Sequence, residues 1–197
     1  MQTPFFHIEI PTQAQDHKIL ANILPGADSL DVSEIAAQFN GLTVVVTNDT
    51  RSAVRLEKEL AQLSQLNVTF FPDWETLPYD SFSPHQDIIS ARLSALFHLQ
   101  QRKQGIFILP IATLMQRVCP PSYLQHRVLL INKGDRFVIE TLRLQLEKSG
   151  YRAVEQVLEH GEYAVRGALL DLFPMGSAVP FRLDFFDDEI DSIRTFD

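Results

Sequence analysis

A loop that cradles nucleotide phosphates needs Gly-x-x-x-x-Gly-Lys-Ser/Thr. The glycines let backbone N–H groups face the phosphates, and the lysine reaches the β and γ oxygens. No Gly-Lys pair occurs in this sequence. The nearest stretch, Leu24-Pro25-Gly26-Ala27-Asp28-Ser29-Leu30, has one glycine, no lysine and an aspartate where a phosphate would be repelled. ATP hydrolysis and a bound nucleotide cofactor are not expected. His7, His17, His85, His98, His126 and His160 form no close pair with one another or with Cys119. A zinc site needs about four convergent ligands, so no metal site is expected either. Asp187-Asp188-Glu189-Ile190-Asp191 is a run of carboxylates that suits a cation site or a catalytic cluster. The commoner role of such a run is a solvated turn after a strand. No catalytic residue is expected.

The most informative local pattern is Phe181-Arg182-Leu183-Asp184-Phe185-Phe186. Strand side chains alternate between faces. With Leu183 and Phe185 directed to a core, Arg182, Asp184 and Phe186 share the outer face. An exposed Phe flanked by Arg is the composition of a binding hot spot. The pattern alone fits equally well a Phe186 packed under the next turn beside an Arg182–Asp184 pair.

The elements that must position these residues follow from periodicity. Residues 42–47 form a β-branched run that reads as a buried, parallel strand. Asn48-Asp49-Thr50 offers an N-cap to a helix with Ala53, Leu56, Leu60 and Leu63 on one face. Asp87 offers a cap to a second helix carrying Ile89, Leu93, Leu96 and Phe97, and residues 105–110 read as a second strand. Between them, residues 70–84 hold Pro72, Pro78 and Pro84, which exclude a regular helix. In that aromatic loop Trp74 is expected to be structural, covered by Leu77, Tyr79 and Phe82; stacking on a nucleic-acid base is the alternative. Cys119-Pro120-Pro121-Ser122 marks a break, giving domains at 1–122 and 123–197. Beyond it, residues 127–132 read as a strand. Asp135 is placed to cap a helix with Ile139, Leu142 and Leu146 inward, closed by Lys148 and Gly150. Residues 152–158, 163–173 and 180–186 read as strands, with turns at His160-Gly161 and Met175-Gly176-Ser177. The fold class is α/β, a parallel-sheet domain followed by a small α+β domain with an antiparallel sheet.

With 17 Lys and Arg against 25 Asp and Glu, the net charge of −8 makes a self-sufficient DNA binder a poor expectation; a protein partner suits it better. One cysteine excludes an internal disulfide and suits a reducing compartment. The first residues lack the basic start and apolar run of a signal peptide. The apolar stretch at 106–115 is too short to span a bilayer. A cytoplasmic protein without membrane contact is expected.

Three segments carry a resemblance. Residues 71–90 (FPDWETLPYDSFSPHQDIIS), 161–174 (GEYAVRGALLDLFP) and 182–191 (RLDFFDDEID) resemble the bacterial transcription-repair coupling factor (Mfd) family in the right order. The likeness runs from about residue 35 onward. It implies the family's N-terminal module, similar to the excision-repair protein UvrB: a degenerate helicase-like domain followed by a small domain that binds UvrA. It further implies recruitment of UvrA to lesions where RNA polymerase has stalled, and a binding surface masked in the intact protein. RNA polymerase and DNA would be engaged, and ATP-driven translocation carried out, by regions absent from this chain. The short segment from Trp74 to Asp87 leaves little room for the DNA-clamping hairpin of UvrB. The family's UvrA-contact motif falls on Arg166, Arg182, Asp184 and Phe186. The alternative from another class is a nucleic-acid-binding ATPase or helicase module of the UvrB type.

Overall fold

The computed structural model describes residues 8–24, 26–77, 79–125 and 130–196. The chain separates into two compact units. One comprises residues up to 73 together with 98–117; the other comprises 74–97 together with 118–197. The aromatic stretch 74–84 and the start of the helix after it thus group with the second unit.

The first unit is built on a parallel sheet. Strands β1 (Leu42–Thr47), β2 (Val68–Phe70) and β3 (Gly105–Pro110) lie in the order β1-β3-β2, both pairings parallel. Every residue of β3 is buried, as expected of a central strand covered on both faces. Helices α1 (Ala27–Gln38) and α2 (Thr50–Leu63) close one side. Ala36, Ala53, Leu56, Leu60, Ile106 and Ile108 form that core. Asp49 caps α2 by accepting from the Ser52 N–H at 2.7 Å. Leu63, expected inside, is exposed at the last residue of the helix. Helix α1 was not legible: apolar and polar residues alternate without a clear face, and Gly26 precedes it at φ 86° with no side-chain cap.

Helix α3 (Gln86–Gln101) corrects two expectations. It begins before Asp87, whose carboxylate instead faces His160 Nδ1 at 2.8 Å. Its fully buried residues are Ser90, Arg92 and Ala95, while Ile89, Leu93, Leu96 and Phe97 are half-buried. Ser90 is inside because its Oγ accepts from the Gly176 N–H at 2.7 Å. Arg92 lies over the Trp74 ring at 4.0 Å. Trp74 is therefore covered by a guanidinium, an arrangement favoured by the negative ring face. Leu77, Tyr79 and Phe82, expected to cover it, are all exposed. Two short helices, α4 (Ile111–Leu114) and α5 (Pro121–Gln125), follow β3.

The second unit carries five strands in sequential order: β4 (Arg152–Ala153), β5 (Glu162–Arg166), β6 (Leu169–Leu172), β7 (Phe181–Phe186) and β8 (Glu189–Thr195). The pairing β4–β5 is parallel and the other three are antiparallel. Helix α6 (Ile139–Lys148) lays Leu142 and Leu146 on one sheet face. There they join Tyr163, Leu170, Leu172, Leu183, Phe185 and Ile190.

Several boundaries differ from expectation. Residues 163–173 are a hairpin, not one strand: Gly167, at φ 62°, occupies the first of two turn positions between paired Arg166 and Leu169, where Gly is favoured in tight hairpins. The acidic run is a two-residue turn, Asp187 at φ 61° and Asp188, followed by β8. Asp135 does not cap α6; Val138 occupies that position, and Asp135 accepts from the Asn132 N–H at 2.7 Å. Of the expected strand at 127–132, residues 127–129 lie outside the described residues and 130–132 form no strand. Of 152–158 only Arg152–Ala153 is strand.

Leu183 is 2% exposed in the centre of the second core. Leu183→Ala is expected to destabilise this unit by about 2–5 kcal/mol, read as a lower urea midpoint. An unchanged midpoint would show that the core is not organised around β7.

Candidate functional site

The face of the second sheet opposite α6 is assembled by register. Cross-strand pairing places Ala164, Asp171, Arg182 and Arg194 in one row across β5 to β8. The next row holds Arg166, Leu169, Asp184 and Ser192. Phe186 follows two residues beyond Asp184 and is 80% exposed. All four residues expected from the sequence thus share one face. A bulge between Asp184 and Phe185 does not disturb this: Leu183 and Phe185 remain buried, and Phe186 is exposed.

The pairing within the face differs from a simple Arg182–Asp184 bridge. Arg182 donates Nε to Asp171 Oδ1 at 2.6 Å and Nη2 to Asp171 Oδ2 at 2.7 Å. The Asp171 side chain is 7% exposed and that of Arg182 34%. The Arg182 guanidinium also lies 5.3 Å from the Phe196 ring centre. Asp171 beside it raises the Arg182 pKa further above its ordinary value, so the guanidinium stays charged. Asp184 instead accepts from Arg194 Nη2 at 3.1 Å. Arg166, exposed, donates Nη2 to the Glu155 carbonyl at 2.6 Å. Asp171, Arg194 and Phe196 were missed from sequence. The available signal was an aspartate amid the leucines of 169–172, whose alternation puts it opposite the core-facing Leu170 and Leu172.

The loop that bonds Arg166 is itself held from Glu162, on the same strand. The Glu162 side chain accepts from the Leu158 N–H at 2.8 Å, the Glu159 N–H at 2.9 Å and Arg152 Nη2 at 2.6 Å. This ties down the loop that presents the Glu155 carbonyl. Burial pushes the Glu162 carboxyl up, but the bonds from Leu158, Arg152 and Glu159 outweigh it and hold it below its ordinary range.

In the first unit, the stretch expected to lack a phosphate loop borders a depression of about 380 Å³ lined by Ile23, Leu24, Gly26, Asp28, Arg55 and Glu59. Arg55 is bonded to both Asp28 and Glu59. The bond from Arg55 holds the Asp28 carboxyl below its ordinary value against a smaller opposing effect of burial. Two carboxylates and one committed guanidinium make a poor field for a polyphosphate.

Two outcomes are expected. Arg182→Ala strands a buried carboxylate, so it should cost about 1–3 kcal/mol of stability. That is more than an ordinary surface change, which is what the sequence pattern alone led one to expect. A parental urea midpoint would show that solvent replaces the pair. A folded-state carboxyl held below its unfolded value stabilises above the unfolded pKa and loses that contribution as pH falls through the folded one. For Glu162 the loss begins near 4.5. Glu162→Gln should therefore be less stable at neutral pH, with a deficit that shrinks as pH falls below about 4.5. A deficit independent of pH in unfolding titrations would contradict the assignment.

A family model described as the UvrB interaction domain matches residues 129–197, the segment that contains this face. The transcription-repair-coupling factor of Haemophilus influenzae is 77% identical over 197 residues, all of this chain and 17% of its own length. That of Escherichia coli K12 is 52% identical over 192 residues, covering 98% of this chain and 17% of its own length. A Staphylococcus aureus protein of the same name is 28% identical over 184 residues. The chain spans about one sixth of the length of these relatives. Residues 129–197 match the UvrB interaction domain, and with identity sustained from end to end the chain belongs to the transcription-repair-coupling factor family.

Proposed function

We propose that this chain binds UvrA through the outer face of β5 to β8, with Arg166, Arg182, Asp184 and Phe186 as contacts. The observation that carries the reading is an 80% exposed phenylalanine on a sheet face that also holds three arginines. A bare surface seldom leaves so much aromatic area in water beside Arg, whereas binding hot spots combine the two. The matched UvrB interaction domain covers the same strands.

In the larger protein, this module would recruit UvrA to lesions at stalled RNA polymerase in nucleotide excision repair. RNA polymerase and DNA would be engaged by other regions. The module acts by binding and not by catalysis, and needs no cofactor. The Asp28–Arg55–Glu59 network supports that reading because it places carboxylates at the depression where a nucleotide would need cations. Among the described residues no helix is long and apolar enough to cross a membrane; we assign the module to the cytoplasm. The functional boundary is placed at 122/123, so that the UvrA-binding part is 123–197.

The test is a titration of purified UvrA against the chain and against Arg166→Ala and Phe186→Ala. Each variant should lose about 2 kcal/mol of binding while shifting stability by only about 0.5 kcal/mol. Parental affinity in both variants would overturn the site. In parallel, calorimetry with magnesium and ATP should show no saturable binding, and anisotropy should show no tight DNA binding at moderate salt. Saturable ATP binding would favour an ATPase module of the UvrB type.

A further inference from the structure

We propose that Asp171 is a positioning residue of the UvrA-binding face: its buried carboxylate fixes Arg182 so that the remaining guanidinium nitrogen, Nη1, is offered to the partner as a preset donor. The inference rests on the reading that this face binds UvrA, and adds to it how the face is held ready.

The geometry singles out Arg182 among the three arginines. Arg166 makes one bond, to the Glu155 carbonyl, and is exposed. Arg194 makes one bond, to Asp184, and its side chain is 62% exposed. Arg182 is held twice along one edge by Asp171 and lies beside the Phe196 ring. Two parallel N–H···O bonds fix the plane of a guanidinium as well as its position. They use Nε and Nη2, and no bond of Nη1 is found among the described residues. Three of its five N–H groups remain, two on Nη1 and one on Nη2, so the outer edge is set to meet an acceptor oxygen or a carboxylate of the partner. An arginine free to rotate would have to be ordered during association, at a cost in affinity. Here folding has already ordered it.

Asp171 in turn has no evident purpose of its own on this face. It is 5% exposed, too buried to be a principal contact. It lies directly opposite Arg182 across the β6–β7 ladder. A carboxylate so buried is tolerated only when paired. The strand thus carries a group that is costly by itself and whose side-chain bonds, among the described residues, all go to Arg182.

The experiment is a double-mutant cycle with purified UvrA as the probe, measuring affinity and melting temperature for the parent, Asp171→Asn, Arg182→Ala and the double variant. Asp171→Asn should weaken UvrA binding roughly three- to tenfold, the scale of ordering one long side chain on association. In the Arg182→Ala background the same change should not weaken binding further. It should raise the melting temperature there, because it removes an unpaired buried charge. A merely structural role would not make affinity and stability move apart in this way. Arg182→Lys, which keeps a positive charge beside Asp171 but no fixed Nη1, should fold and bind weakly, and serves if Arg182→Ala does not fold. Parental affinity in both Arg182 variants would overturn the Arg182 contact and this inference with it. Weak Arg182 variants beside a parental Asp171→Asn would overturn the positioning role alone. So would an equal loss from Asp171→Asn in both backgrounds, since Asp171 would then act independently of Arg182.

Discussion

Within the leucine-rich strand 169–172, one aspartate is buried, and Arg182 on the neighbouring strand takes both of its oxygens. That pair constrains the rest of the second unit. Strand side chains repeat every two residues, so sliding β6 against β7 by one position would turn Asp171 into the core and Leu170 out of it. The observed register keeps Leu170 opposite Leu183 beneath α6, and Asp171 opposite Arg182 on the other face. The core and the outer face are thus two readings of one alignment. The turns then suit the register: Gly167 closes β5 to β6, and Asp187 closes β7 to β8. The second turn is also stitched from outside, since the Phe137 N–H donates to the Asp188 carbonyl and Arg136 pairs with Glu189. The acidic run is therefore accounted for as a turn and a strand start. Among the described residues no cluster of acidic or histidine side chains suits a metal ion.

The first unit places carboxylates at the stretch where the sequence was read for a phosphate loop. Its three strands are parallel, and Gly26 stands in a left-handed conformation ahead of α1. A lysine would be needed where the chain places Asp28, and the nearby Arg55 is bonded to Asp28 and Glu59. Such a network holds α1 to α2 within its unit, a structural use of the same place.

Legibility followed the strength of periodic signals. The run 42–47 and the spacing of Ala53, Leu56, Leu60 and Leu63 read directly as strand and helix, and Asn48-Asp49-Thr50 as the cap region, because each depends on local chemistry alone. Asp49 is the cap, and of the four helix residues Leu63 alone is exposed. The alternation in 181–186 correctly gave the two faces of β7. What could not be read depended on partners distant in sequence. Ser90 and Arg92 are buried where Gly176 and Trp74 meet them, contacts that an apolar pattern does not register. The β5–β6 hairpin was hidden because the turn is only two residues long, Gly167 and Ala168, and joins strands of similar alternation. An Arg182–Asp184 pair was one of two equal readings of the local pattern, whereas the cross-strand neighbour Asp171 takes both bonds from Arg182. The resemblance to a known family supplied Arg166, which no local pattern singled out.

The central claim, that the outer face of β5 to β8 meets UvrA, is tested most directly by site-specific photocrosslinking. A photoreactive phenylalanine analogue at position 186 preserves the exposed aromatic group there. The same analogue at position 144 probes the far side, since Leu144 is 54% exposed on α6, the helix packed against the opposite sheet face. Illumination with purified UvrA is expected to give a covalent adduct from position 186 and none from position 144. An adduct from position 144 with none from position 186 would place the partner on the wrong side of the sheet and contradict the account.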